Sequence, residues 1–230
     1  MPTAAPPVVV FDVNETLLDI DSLAPLFGEW FGDERVLREW FAQLVMYSMT
    51  ATLAESYVNF SALAQGVLRM LGDIHHVGIG DEDLRRLKAA FLTMPPHPDA
   101  PEGLAALRDN GFRLVTLTNS PPNPDGATAL ESAGLAGLFE HRLSVDACRA
   151  FKPAPAVYRY ACQTLGVAPA DCMMVAAHVW DTVGAQNVGF SGALVTRPGN
   201  PPLPVDGLPQ PDLVVSDLRQ LAERLIELRG

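Results

Sequence analysis

Residues 8–19 read VVVFDVNETLLD: a β-branched apolar run that stops at a single carboxylate, Asp12, with Thr16 four residues further on. An unbroken apolar run of this length fits a strand buried on both faces of a parallel sheet, because alternation disappears when neither face meets water. Ligands of such sheets bind beyond the carboxyl ends of the strands, and Asp12 stands at that end. An aspartate so placed can be a turn cap, a metal ligand or a nucleophile.

Working outward, similar runs recur at 112–117, 172–176, 193–196 and 213–215, with helical patterns between them, which is the signature of a parallel α/β sheet. One helix opens at Asp99 with Glu102 three residues on, a capping-box pattern, and ends at Gly111. Another runs from about Pro153 to Gly166, and the last carries Leu218, Leu221, Leu225 and Leu228 as its stripe. From about Leu18 to Met94 the strand signal disappears. Val36, Leu37, Trp40, Phe41, Leu44 and Val45 repeat at helical spacing, as do Leu63, Val67, Leu68 and Leu71, so a helical block interrupts the sheet after its first strand. Met94-Pro95-Pro96-His97-Pro98 cannot continue a helix and reads as the return hinge, and residues 197–211 read as a long surface loop.

At 230 residues, 48% hydrophobic and 19% charged, the chain is long enough for one domain with an insertion or for two small domains. A formal net charge of -11 with no basic run argues against nucleic acid or an anionic membrane as partner. Cys148, Cys162 and Cys172 lack metal-ligand spacing and are expected to be free thiols in a reducing compartment. No basic leader precedes an apolar stretch and no eighteen-residue apolar run occurs, so the expected location is cytoplasmic. The sequon Asn59-Phe60-Ser61 is then idle. The neighbouring His75 and His76 lack helical ligand spacing and are assigned no metal.

Three further segments fall at predicted strand or loop ends facing the same crevice: Thr118-Asn119-Ser120, Phe151-Lys152-Pro153, and His178-Val179-Trp180-Asp181 after the run at 172–176. FDVNETLLD, LTNS, FKPAPAVY and VAAHVWD, in this order, resemble the four motifs of the haloacid dehalogenase superfamily, and the similarity covers nearly the whole chain. It implies a Rossmann-like doubly wound parallel sheet core, residues 1–17 plus 95–230, with an inserted helical cap, 18–94.

The resemblance makes Asp12 the nucleophile. Most members of this superfamily are magnesium phosphotransferases with a second aspartate two residues later to protonate the leaving group. Here that position is Asn14, and the last motif offers His178 and one acid, Asp181, around Trp180 where phosphatases tend to carry paired acids. Both departures agree with the branch resembling (S)-2-haloacid dehalogenases, which act on small carboxylic acids and need no metal or other cofactor. A halide leaves without a proton, so Asn14 is no handicap. Asp12 would displace it with inversion, and water would then hydrolyse the resulting ester.

In that reading Lys152 keeps Asp12 ionised and helps neutralise Asp181. Asp181 orients or activates the hydrolytic water and also suits a helix N-cap. Thr118 and Asn119 bind the Asp12 carboxylate or the substrate, and Thr16 hydrogen-bonds Asp12 or the following turn. Tyr158 matches a tyrosine of the dehalogenase branch, although its helical position suits packing equally. His178 either tunes protons or is a neutral, satisfied histidine.

The branch usually has an arginine on a cap helix, and aligning on Tyr47-Ser48 puts Phe41 at that place, with Arg38 one turn earlier. If Phe41 faces the crevice, it joins Trp40 or Trp180 as an aromatic face for a cationic substrate. That pattern fits a related activity, hydrolysis of L-azetidine-2-carboxylate by the same Asp12 chemistry. A magnesium-dependent phosphatase and a noncatalytic binding module are the remaining alternatives. Related dehalogenases are commonly dimeric, and the apolar cap helices could supply a homodimer interface.

Overall fold

A computed structural model describes residues 6–230. Six parallel strands form one sheet in the order β3-β2-β1-β4-β5-β6. They are β1 (Val8–Phe11), β2 (Arg113–Thr118), β3 (His141–Ser144), β4 (Cys172–Ala176), β5 (Ser191–Val195) and β6 (Leu213–Val215). Every residue of β1 is fully buried, as expected of a central strand with helices on both faces. The chain lays β2 and β3 on one side of β1 and β4 to β6 on the other, so the winding reverses between β1 and β4. At such a reversal the loops leave in opposite directions and open a crevice beyond the strand ends.

Four of the predicted strands fall within two residues of their expected bounds, and the fifth, at 213–215, coincides with β6. The edge strand β3 went unpredicted because of its sequence, His-Arg-Leu-Ser, in which only Leu143 is buried. An edge strand needs one apolar contact and leaves no periodic signal.

Between β1 and β2 the chain forms α1 (Ala24–Phe31), α2 (Val36–Leu53), α3 (Phe60–Ile74) and α4 (Asp81–Leu92) before α5 (Ala100–Asp109) returns to the sheet. The two crossings lie side by side: Asp19 N donates to Pro95 O at 2.8 Å and His97 N to Leu17 O at 2.9 Å. Within the insertion, Trp40 is fully buried, packs on Phe27 and donates its indole N–H to Ala64 O. Trp40 therefore belongs to the insertion's own core and offers no face to a crevice.

The remaining helices are α6 (Ala129–Ser132), α7 (Pro155–Leu165), α8 (Val179–Gln186) and α9 (Leu218–Arg229). Asp99 precedes α5, yet its side chain does not cap it. Both carboxylate oxygens accept from Arg197, and one also accepts from Leu218 N at the start of α9. A charged, bidentate partner outcompetes the local backbone amide. Arg197 is correspondingly buried, so the predicted surface loop is confined to the residues after it. No helix of the described residues is long and apolar enough to cross a membrane.

Candidate active site

The ends of β1 and β4 bring three motifs together. Asp12 continues β1, and its backbone N–H donates to Val175 O at 3.0 Å, which fixes the carboxylate at the sheet's edge. Thr16 Oγ1 donates to Asp12 Oδ2 at 2.7 Å and accepts from Ala177 N at 2.9 Å, tying the loop after β1 to the end of β4. Lys152 reaches the same carboxylate from the loop before α7 and donates to Asp12 Oδ1 at 2.8 Å, Asp181 Oδ2 at 2.6 Å and Leu117 O at 2.8 Å. These three bonds use all three ammonium hydrogens. Lys152 and Asp181 are both 0% exposed.

Tyr158 on α7 is buried and donates its hydroxyl to Asp181 Oδ1 at 2.7 Å. The helices approach closely enough for this because position 184 is glycine. A Cβ there would lie 2.5 Å from Pro153 Cβ and 2.7 Å from the Tyr158 hydroxyl. Asp181 lies in the first turn of α8, whose N-cap is His178, so the predicted N-cap role for Asp181 is not what the fold shows. Its carboxylate is turned inward to Lys152 and Tyr158 and does not line the chamber in front of Asp12.

That chamber is bounded by Asp12, Asn14, Asn119, His178 and Trp180 from the core and by Phe41, Val45 and Phe60 from the insertion. Its free volume of about 10 Å³ is room for about one water molecule. A larger crevice of about 570 Å³ runs alongside between α3, α4 and the loop after β2, and shares Asn14 and Phe60 with the chamber. It contains none of Asp12, Lys152, His178 or Asp181, so the ionisable cluster belongs to the smaller space. Asn14 Nδ2 donates to Ser120 Oγ, and Asn119 Oδ1 accepts from Lys152 N at 3.2 Å. Thr118 departs from expectation: its hydroxyl accepts from Ser120 N and lines the larger crevice, away from Asp12.

Glu15 was absent from the sequence reading, and Arg38 was read there only as lying one turn before Phe41. Glu15 is buried, adopts a left-handed φ of 68°, and accepts from His178 Nε2 at 2.7 Å. Its other oxygen pairs with Arg38 of α2, which also binds Asp21. Arg38 therefore stands behind His178 and does not occupy the place of the missing arginine. The available signal for Glu15 was an acid three residues after Asp12, inside the short polar stretch Asn14-Glu15-Thr16 between Val13 and Leu17.

Electrostatics separate the two carboxylates. Burial alone would raise Asp12, but Lys152 and His178 more than compensate and hold it well below the usual range. Burial and the Asp12 charge raise Asp181 against the pull of Lys152. His178 is opposed by burial yet pushed up to about 9 by Asp12 and Glu15, so it is an imidazolium at neutral pH, not a neutral histidine. Two buried carboxylates driven apart in this way leave Asp12 as the anion facing the chamber.

The model of the haloacid dehalogenase-like hydrolases matches residues 6–189. The (S)-2-haloacid dehalogenase 4A of Burkholderia cepacia is 32% identical over 199 residues, 84% of either chain. The (S)-2-haloacid dehalogenase of Pseudomonas sp. strain YL is 32% identical over 221 residues, 94% of this chain and 92% of that one. The solved L-2-haloacid dehalogenase of Xanthobacter autotrophicus with chloropropionic acid covalently bound superposes with a TM-score of 0.85 at 27% identity, covering 96% and 98% of the two chains. With the sheet order, the four motifs and this coverage in agreement, the chain belongs to the haloacid dehalogenase-like hydrolase family.

Proposed function

We propose that this chain hydrolyses small 2-substituted carboxylic acids of the (S)-2-haloacid type through a covalent ester on Asp12. The observation that carries the reading is the setting of that carboxylate: ionised, with Lys152 on one oxygen and Thr16 on the other, facing a chamber with room for about one water molecule. A largely buried anion fixed by two donors is a pre-positioned nucleophile. Attack at the α-carbon forms the Asp12 ester and expels halide with its bonding pair, which requires no proton. Water then adds to the ester carbonyl, the acyl–oxygen bond breaks, and a 2-hydroxy acid leaves with the oxygen that belonged to Asp12.

The charge that develops on the Asp12 oxygen during hydrolysis falls within reach of Lys152, whose ammonium is already in place. Asp181 and Tyr158 act through Lys152 by fixing it. The same ammonium supplies the positive charge between two carboxylates, so turnover is expected to persist in a metal chelator. Residues 18–94 serve as the cap. The chamber is smaller than any substrate, so Phe41, Val45 and Phe60 must withdraw for entry, and the adjoining crevice is the natural approach.

A cationic substrate has less support. Phe41 does face the chamber, but its ring lies 5.7 Å from the His178 imidazolium, and Trp180 is stacked on that same ring with Lys152 Nζ 5.7 Å from its centroid. The aromatic faces are already engaged by the protein's own cations.

Single turnover with excess enzyme in ¹⁸O-water tests the mechanism. The expected result is an unlabelled first 2-hydroxy acid and label in Asp12, read by mass spectrometry. Label in the first product would mean direct attack by water and would reject the ester.

A further inference from the structure

His178 is, among the described residues, the ionisable group of the chamber wall that keeps a buried polar atom without a partner. Its ring is stacked on Trp180 at 4.9 Å and 18°, and Phe41 lies against it at 5.7 Å. Nε2 is committed to Glu15, which Arg38 holds in turn. Nδ1 is buried and has no hydrogen-bond partner; Asp12 Oδ2 lies 3.6 Å away, beyond hydrogen-bond length. His178 as a whole is 8% exposed, so an unsatisfied nitrogen here is costly unless something arrives to meet it.

The neighbouring cations have nothing to spare. Lys152 has its three acceptors, Arg38 is divided between Glu15, Asp21 and Pro198 O, and Arg197 is bound to Asp99 and Thr16 O. A substrate carboxylate entering the chamber therefore meets, among the described residues, one uncommitted cationic N–H.

We propose that His178 Nδ1–H anchors the substrate carboxylate, with Glu15 and Arg38 as positioning residues that fix the ring. The inference rests on the proposed function, in that the substrate is an acid. It also accounts for Phe41: the cation expected from the cap is supplied by the core, and an aromatic residue lies where the arginine would be. A carboxylate held on Nδ1 brings its α-carbon beside Asp12, because the anchor and the nucleophile's Oδ2 are 3.6 Å apart. An imidazolium offers a single hydrogen bond where a guanidinium offers a planar pair, so recognition falls on charge more than on planar geometry.

The test uses the full chain and His178→Gln, with (S)-2-chloropropionate as substrate and unreactive propionate as the binding probe. Losing one charged hydrogen bond is expected to raise both KM and the calorimetric Kd of propionate by roughly 10- to 100-fold. The preference for the acid over its amide should fall by about the factor seen in KM. Unchanged KM and Kd would overturn the anchor, and so would a collapse of kcat with both constants unchanged. Weaker propionate binding with no chloride release from either protein would retain the anchor and remove the dehalogenase reading. Should the variant not fold, nitrogen NMR of the wild-type chain decides: propionate must shift the His178 Nδ1 signal saturably, and an unmoved signal would reject the proposal.

Discussion

Below the chamber, Lys152, Asp181, Thr16 and Tyr158 form a sealed polar network in which every charge has a partner. Above it, Phe41, Val45 and Phe60 present carbon, and the helices that carry them are tied to the core at a few outlying points. These include Tyr57 to Asp146 at 2.6 Å and Thr52 to Phe151 N at 2.9 Å. Buried charge networks tolerate no partial loss, whereas apolar contacts and half-exposed hydrogen bonds can open and reclose at small cost. Under the proposed function, this difference puts the chemistry in the floor and access in the roof.

That division can be broken by substitution, beginning with the floor. Asp12→Asn should lower halide release by roughly 10⁴-fold or more while circular dichroism keeps its native form; substantial residual turnover would place the nucleophile elsewhere. Lys152→Met leaves two buried carboxylates without compensation and should cost about 3–5 kcal/mol in urea unfolding, along with activity. A loss below ~1 kcal/mol would mean that water reaches the network and that the floor is not sealed.

A third test follows from His178. Its pKa is raised from 6.5 to about 9 in the folded chain, so its stabilising contribution is complete below pH 6.5 and is lost as pH rises through about 9. The corresponding decline is of order 3 kcal/mol and should disappear in His178→Gln. The acids run oppositely: Asp12 and Glu15 are depressed, so their contribution is present above the unfolded carboxylate range and vanishes on acidification. Unfolding free energies measured from pH 6 to 10 in both proteins check the sign. The smallest effect belongs to the roof: Tyr57→Phe should cost about 1 kcal/mol of closure and change KM a few-fold, with kcat of the bound state kept.

The sheet was legible because β1, β2, β4 and β5 are buried, or nearly so, along their length and leave continuous apolar runs. Asp12, Lys152 and Asp181 could be placed together because each sits at a strand end or helix start marked by its neighbours. The unread parts share a physical cause. Glu15 and Arg197 are charges made buriable by partners far away in sequence, and Asp99 abandons its local cap for such a partner. No window of sequence contains those pairings. Thr118 illustrates the reverse case, a motif residue whose hydroxyl is taken by its own loop.

The two crossings of the insertion, bonded to each other through Asp19–Pro95 and Leu17–His97, have a further consequence. Entry and exit are adjacent, so the intervening helices form a cassette that can be lengthened, shortened or exchanged without stretching the sheet. Because the first crossing belongs to the segment that carries Asp12, Glu15 and Thr16, any graft at this seam keeps those three side chains in place. Evolution or engineering can thus rewrite the helices that cover the chamber while the Asp12 carboxylate stays where β1 puts it.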